Sequence, residues 1–153
     1  MKKLLILISL SLLALSGNAF ADPDNYTAMS GTGCDNYFAG DTGKFNHQNN
    51  GITNVGVGSR WVSCPINKDN VGSTLGTSSM WIRWNGTAGT TMTCYLNSFD
   101  VNGNLGQQIS VGPFGPGWGN IAGLTFDDFW GNNELFCLVP QGGTLQTIHY
   151  FEN

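Results

Sequence analysis

Two stretches rich in glycine and asparagine hold the side chains best suited to recognition chemistry. Residues 112–119 read Gly-Pro-Phe-Gly-Pro-Gly-Trp-Gly, and residues 127–133 read Asp-Asp-Phe-Trp-Gly-Asn-Asn. Phe114, Trp118 and Trp130 offer flat apolar rings. Asn120, Asp127, Asp128 and Asn132 offer amides and carboxylates beside them. A sugar needs this combination, because one ring face stacks while its hydroxyls seek donors and acceptors. The ligand expected is a glycan or another cell-surface component. The competing reading is that these aromatics fold back to cap a small core, and tryptophan's usual burial favours it.

Other chemistry is harder to assemble. Asp100-Val-Asn102-Gly-Asn104 places oxygens at alternate positions, but it lacks the glycine at position six and the late glutamate of a helix–loop–helix calcium site. A β-turn explains it more simply. Glycoside hydrolysis needs two carboxylates across the sugar. Glu134, Asp127 and Asp128 could be nominated, as in any acidic chain. His47 and His149 stand far apart in sequence, with no motif serine and no metal-ligand spacing. No motif calls for a catalytic residue, a metal or a cofactor.

Four cysteines stand thirty, thirty and forty-three residues apart, at 34, 64, 94 and 137. Zinc sites bring their ligands in close pairs. An even number at wide spacing in an exported chain reads instead as two disulfides. Three pairings are open. Cys34–Cys64 with Cys94–Cys137 is favoured, because Met92, Cys94 and Leu96 share one face of an alternating strand, as do Leu135, Cys137 and Val139.

Export is read from the start of the chain. Met1-Lys2-Lys3 precedes an apolar run over 4–15 and an Ala-Phe-Ala exit at 19–21, the layout of a cleaved signal peptide. The run is short for an uncleaved membrane anchor. Residues 1–21 are therefore set apart from a single domain over 22–153, and the expected location is secreted or periplasmic. No later stretch could cross a membrane as a helix. The mature part holds Lys44, Arg60, Lys68 and Arg83 against ten acidic residues, so its net charge is 4 − 10 = −6 with neutral histidines. It has no basic patch for phosphates, which disfavours nucleic acid and anionic bilayers.

The elements that must position these residues read as strands. The 22 glycines and many asparagines suit numerous turns. Residues 22–38 read as an irregular arm pinned by Cys34, and residues 39–51 as a loop or short irregular strand. Strands are expected over 52–57, 60–64 (ended by Pro65), 80–84, 91–97, 107–111, 121–126, 134–139 and 144–151, with a hairpin turn at Asn102-Gly103. Within 80–84, Trp81 and Trp84 point to opposite faces, so at least one belongs to the core. Pro113 and Pro116 place Phe114 and Trp118 in a loop. The fold class is all-β: a disulfide-stapled sandwich of seven or eight short antiparallel strands, with a partly open barrel as the alternative. Uncharged strand edges leave room for self-association as a structural protein of the cell surface.

The order Cys64-Pro65-Ile66, then Cys94-Tyr95-Leu96-Asn97-Ser98 leading to Asp100 and Gly103, then Cys137-Leu138-Val139-Pro140 with Gly142, and finally Ile148-His149-Tyr150-Phe151-Glu152 resembles a loose group of short secreted bacterial proteins of uncharacterised function. The likeness spans about residues 55 to 152. It implies an all-β domain and brings no catalytic residues. Val139-Pro140-Gln141-Gly142 departs from the group's more usual Pro-Pro-Gly.

Overall fold

The structure, a computed structural model, describes residues 26–66, 78–100, 102–124 and 132–151. The expected signal peptide at 1–21 lies outside them. The strands are β1 (Tyr26–Ser30), β2 (Asp35–Asn36), β3 (Phe45–Gln48), β4 (Gly51–Asn54), β5 (Arg60–Ile66), β6 (Ser78–Asn85), β7 (Met92–Phe99), β8 (Leu105–Phe114), β9 (Gly117–Leu124), β10 (Asn132–Val139) and β11 (Thr144–Phe151). Among the described residues there are thus eleven strands, more than the seven or eight expected. They form two antiparallel sheets, a sandwich that does not close into a barrel. One sheet runs β3-β4-β11-β6-β9, with β1 also on β11. The other runs β2-β5-β10-β7-β8.

Period-two alternation builds both layers. Met80, Ile82 and Trp84 on β6 face Leu145, Ile148 and Tyr150 of β11 within the core. Opposite them lie Met92, Cys94 and Leu96 of β7 and Leu135, Cys137 and Val139 of β10. Each aliphatic or methionine side chain among them contributes about 1.5–3 kcal/mol through burial. Trp84 is the core member of its pair, and Trp81 faces solvent. Both expected disulfides form, Cys34–Cys64 and Cys94–Cys137. Cys94 and Cys137 are direct ladder partners with Cα atoms 4.1 Å apart. This is close to the spacing of a non-hydrogen-bonded antiparallel pair, where side chains approach most closely.

Several expectations need correction. The expected arm contributes β1, which pairs with β11 from Tyr26↔Phe151 to Ser30↔Thr147. Residues 39–51, by contrast, hold the short strand allowed for them, β3, after a 3₁₀ turn at Ala39–Asp41. Pro65 does not end β5, whose ladder with β10 continues through Glu134↔Pro65 to Asn133↔Ile66. On its other side, among the described residues, β5 pairs with β2 only at Val62 and Ser63, so no described neighbour there requires an N–H from residue 65. The returning strand of the β7–β8 hairpin is longer than 107–111 and runs through Pro113. The ladder pairs Cys94 with Val111 and Met92 with Phe114, so Gly112 and Pro113 together oppose Thr93 in a bulge. Gly112 has φ +101°, open to a residue without Cβ. β8 is also an edge strand, where proline is tolerated.

The outer edge of β11 changes partner midway. β4 pairs with Leu145, and β1 takes over from Thr147, across a register shift. Gly51 and Gly31 flank the changeover. A Cβ on either would fall 2.0 or 2.1 Å from the Leu145 carbonyl oxygen, so only glycine fits.

Candidate functional site: an aromatic groove on the five-stranded sheet

The outward face of the β2-β5-β10-β7-β8 sheet carries the side chains that alternate with the core. In register these form rows: Pro65–Glu134–Asn97–Gln108, then Ser63–Phe136–Tyr95–Ser110, then Trp61–Leu138–Thr93. Rings lean across the rows. Trp61 on β5 reaches over β10 to Tyr95 on β7, with centroids 5.7 Å apart. Tyr37, just past β2, is placed by its N–H donating to the Trp61 carbonyl, and its ring meets Phe136 edge-on at 4.9 Å. Tyr37, Trp61, Tyr95, Phe136, Asn97 and Gln108 line a groove of about 380 Å³. That is enough for a sugar-sized ligand.

The polar end of the groove is arranged by its own hydrogen bonds. Gln108 Nε2 donates to Asn97 Oδ1 at 3.0 Å. This leaves the Asn97 amide N–H groups and the Gln108 carbonyl oxygen to serve a ligand. Beside them Ser63 Oγ donates to Glu134 Oε1. Among the described residues, those lining the groove include no basic side chain. Hydroxyl groups of a neutral ligand fit such amide and carboxylate neighbours, and the rings supply stacking.

The residues nominated from sequence are dispersed. Phe114 ends β8 and is half-buried against the core. A Cβ on Gly119 would lie 2.4–2.7 Å from its ring atoms, so the ring rests directly on β9. Phe114 therefore caps the seam between the two sheets. Nearby, core residue Trp84 donates Nε1–H to the Gly115 carbonyl at 2.8 Å, tying down the β8–β9 connection. Trp118 and Asn120 lie on β9, a strand instead of the expected loop, and point to the outer face of the other sheet. There they adjoin Arg83 and Trp81 respectively. Asn132 begins β10 in the five-stranded sheet. Asp127, Asp128 and Trp130 lie outside the described residues. Trp118 and Asn120 thus share a face, whereas Phe114 and Asn132 do not join it.

No sequence motif marks Tyr37, Trp61, Tyr95, Phe136, Asn97 and Gln108 as a site. A usable signal existed: Tyr95 alternates with Cys94 and Leu96, and Phe136 with Leu135 and Cys137. Parity alone directs both rings outward.

The Asp100–Asn104 segment is a turn held by its own carboxylate. Asp100 Oδ1 accepts from the backbone N–H groups of Asn102 and Asn104, both at 2.8 Å, and Oδ2 accepts from Asn104 Nδ2 at 2.9 Å. These bonds, led by the Asn104 side chain, hold the Asp100 carboxyl below its ordinary pKa. Among the described residues, no group of three or more His, Cys, Asp or Glu side chains is placed to hold a metal ion. His47 stands 4.0 Å from Asp35, while His149 rests against Trp118. No helix among the described residues is long and apolar enough to cross a membrane.

Neither a scan against protein-family models nor a search of curated proteins returns a match. Among solved structures, the chain is similar to an isomalto-dextranase from Arthrobacter globiformis T6 complexed with panose, with a TM-score of 0.47 and 15% identity. The match covers 82% of this chain and 23% of that one. The chain therefore spans about a quarter of that enzyme's length.

Proposed function

We propose that this chain is an exported, non-catalytic recognition module that binds a neutral glycan or a comparable hydroxyl-rich surface component along the five-stranded face. The groove lined by four aromatic rings and closed at one end by the Asn97–Gln108 amide pair carries the reading. Sugar rings stack on Trp61 and Tyr95, and hydroxyls exchange hydrogen bonds with the amides and Glu134. The charged start, apolar run and Ala-x-Ala exit of residues 1–21 support export. The test is a glycan array on monomeric protein, followed by calorimetric titration of the best ligand. Trp61→Ala is expected to weaken binding about fivefold or more while the melting temperature holds, since a lost ring contact is worth about 1 kcal/mol or more. Unchanged affinity in Trp61→Ala and Tyr95→Ala would remove the groove as the site.

A second reading is self-association through β8. This ten-residue edge strand carries no charged side chain, the usual protection of an exposed edge. Concentration-dependent light scattering, abolished by Gln108→Lys or Ser110→Lys, would favour it.

A further inference from the structure

The opposite outer face carries a second aromatic cluster of different electrostatic character. Trp118 on β9 lies across β6. Its ring meets Trp81 edge-on at 6.4 Å and His149 of β11 edge-on at 5.2 Å. Trp81 and Trp118 remain 41% and 47% exposed, the level of a surface available to a ligand. With His149 and Phe151 they line a shallow cleft of about 320 Å³. Arg83, the ladder partner of Trp118, holds its guanidinium carbon 5.7 Å from the Trp118 ring centroid. Among the described residues no carboxylate comes within ion-pair distance of Arg83, whereas Arg60 is paired with Asp41. Asn120 lies beside Trp81 across the β6–β9 ladder.

A guanidinium held over an indole presents its N–H donors in a flat fork that matches a carboxylate. In a chain with ten acidic and six basic residues, an arginine with no carboxylate partner among the described residues, set amid exposed tryptophans, is a local reversal of charge. We propose that the Trp81–Trp118–Arg83 face is a second saccharide site, selective for carboxylate-bearing (uronic acid) sugars. The pyranose ring packs on Trp81 and Trp118, its carboxylate pairs with Arg83, and Asn120 takes a hydroxyl. The two sheets turn their outer faces in opposite directions, so this site is independent of the groove and stands if the groove reading fails.

The test titrates oligomers of polygalacturonate, alginate and hyaluronan against the full mature protein, with tryptophan fluorescence and calorimetry as readouts. The neutral methyl esters of the same oligomers serve as matched probes. The acid form of at least one is expected to bind, with its ester about ten- to a hundredfold weaker, the range for a charge-assisted pair. Arg83→Gln should lower affinity for the acid to that for the ester. Trp118→Ala should abolish the acid form's advantage over its ester, and Trp61→Ala should leave that advantage unchanged. Melting curves of each variant establish that it is folded. The proposal is overturned if no acidic oligomer binds, if acid and ester bind alike, or if Arg83→Gln binds as the wild type does. Loss of binding in Trp61→Ala would move the ligand to the groove and overturn it as well. Dimerisation abolished by Trp118→Ala, without saccharide binding, would make the face a contact between copies and also overturn it.

Discussion

Asn54 offers the sharpest test of how the sandwich end supports the groove. It is fully buried, and its side chain is completely satisfied. Nδ2 donates to the carbonyls of Gly58 at 2.8 Å and Val139 at 2.9 Å, and Oδ1 accepts from the Gly56 N–H at 3.0 Å. Its backbone donates to the Gly143 carbonyl and accepts from the Gly142 N–H. One residue thus joins the β4–β5 connection to the end of β10 and the β10–β11 turn. Replacing Asn54 with alanine strands one donor and two acceptors. Each unmet buried group costs about 1–3 kcal/mol, with the partly buried Gly58 carbonyl at the low end. The expected loss is about 3–5 kcal/mol, a large share of a typical 5–15 kcal/mol total. For a domain of this size that lowers the melting temperature by about 10–20 °C. Asn54→Asp is expected to be worse than Asn54→Ala near neutral pH, because it turns a carboxylate oxygen toward two carbonyl oxygens. Urea unfolding of the two variants, with exposed Asn46→Ala as a control, measures the effect. A loss below about 1 kcal/mol, or a ranking in which Asp is tolerated better than Ala, would refute the hub argument.

Removing the Cys94–Cys137 bridge as a double alanine variant is expected to lower stability by about 4 kcal/mol, from the entropy of the closed loop; calorimetry under oxidising conditions checks it. Gly119→Ala should displace Phe114, because the added Cβ meets ring carbons at 2.4–2.7 Å, and overpacking of this kind costs about 1–3 kcal/mol in chemical denaturation. Asp100 has a folded-state pKa below its ordinary value. Its turn bonds therefore contribute stability above the ordinary carboxylate pKa, and that contribution disappears as pH falls through the lowered folded value. The stability gap between wild type and Asp100→Ala, measured across acid pH, should be full near neutrality and should close below about pH 4.

The inward half of this structure was legible because alternation is a local property. Met80-Ile82-Trp84, Met92-Cys94-Leu96 and Leu135-Cys137-Val139 each present one apolar face, and the shared face of the last two gave the Cys94–Cys137 pairing. Prolines misled for the opposite reason. Whether Pro65 or Pro113 interrupts a ladder depends on which side of the strand has a partner, and partners are assigned by topology. The groove was illegible on the same ground. Trp61, Tyr95 and Phe136 become neighbours only because β10 inserts between β5 and β7, strands that are not consecutive in the chain. Each alone is an ordinary outward ring on a strand.

The distribution of aromatic side chains between core and surface supports the two proposed binding faces. The described core is filled by isoleucine, leucine, methionine, valine and two disulfides, with Trp84 and Tyr150 as its aromatic members. Tyr37, Phe38, Trp61, Trp81, Tyr95, Trp118 and Phe136 stand outside that core, half-buried or exposed. Burial of a large ring is worth about 1.5–3 kcal/mol, so a chain selected only for stability would place such rings inside. Edge-on contacts on the surface recover only about 0.5–1.5 kcal/mol each beyond the area they cover. Most of the lost burial is recovered only when something else covers the rings. The two faces then differ in what could do so: amides and Glu134 border one cluster, and an arginine with no carboxylate partner among the described residues borders the other. On the two proposed readings, stacking would supply affinity on both faces, and the polar neighbours would decide which ligand each accepts.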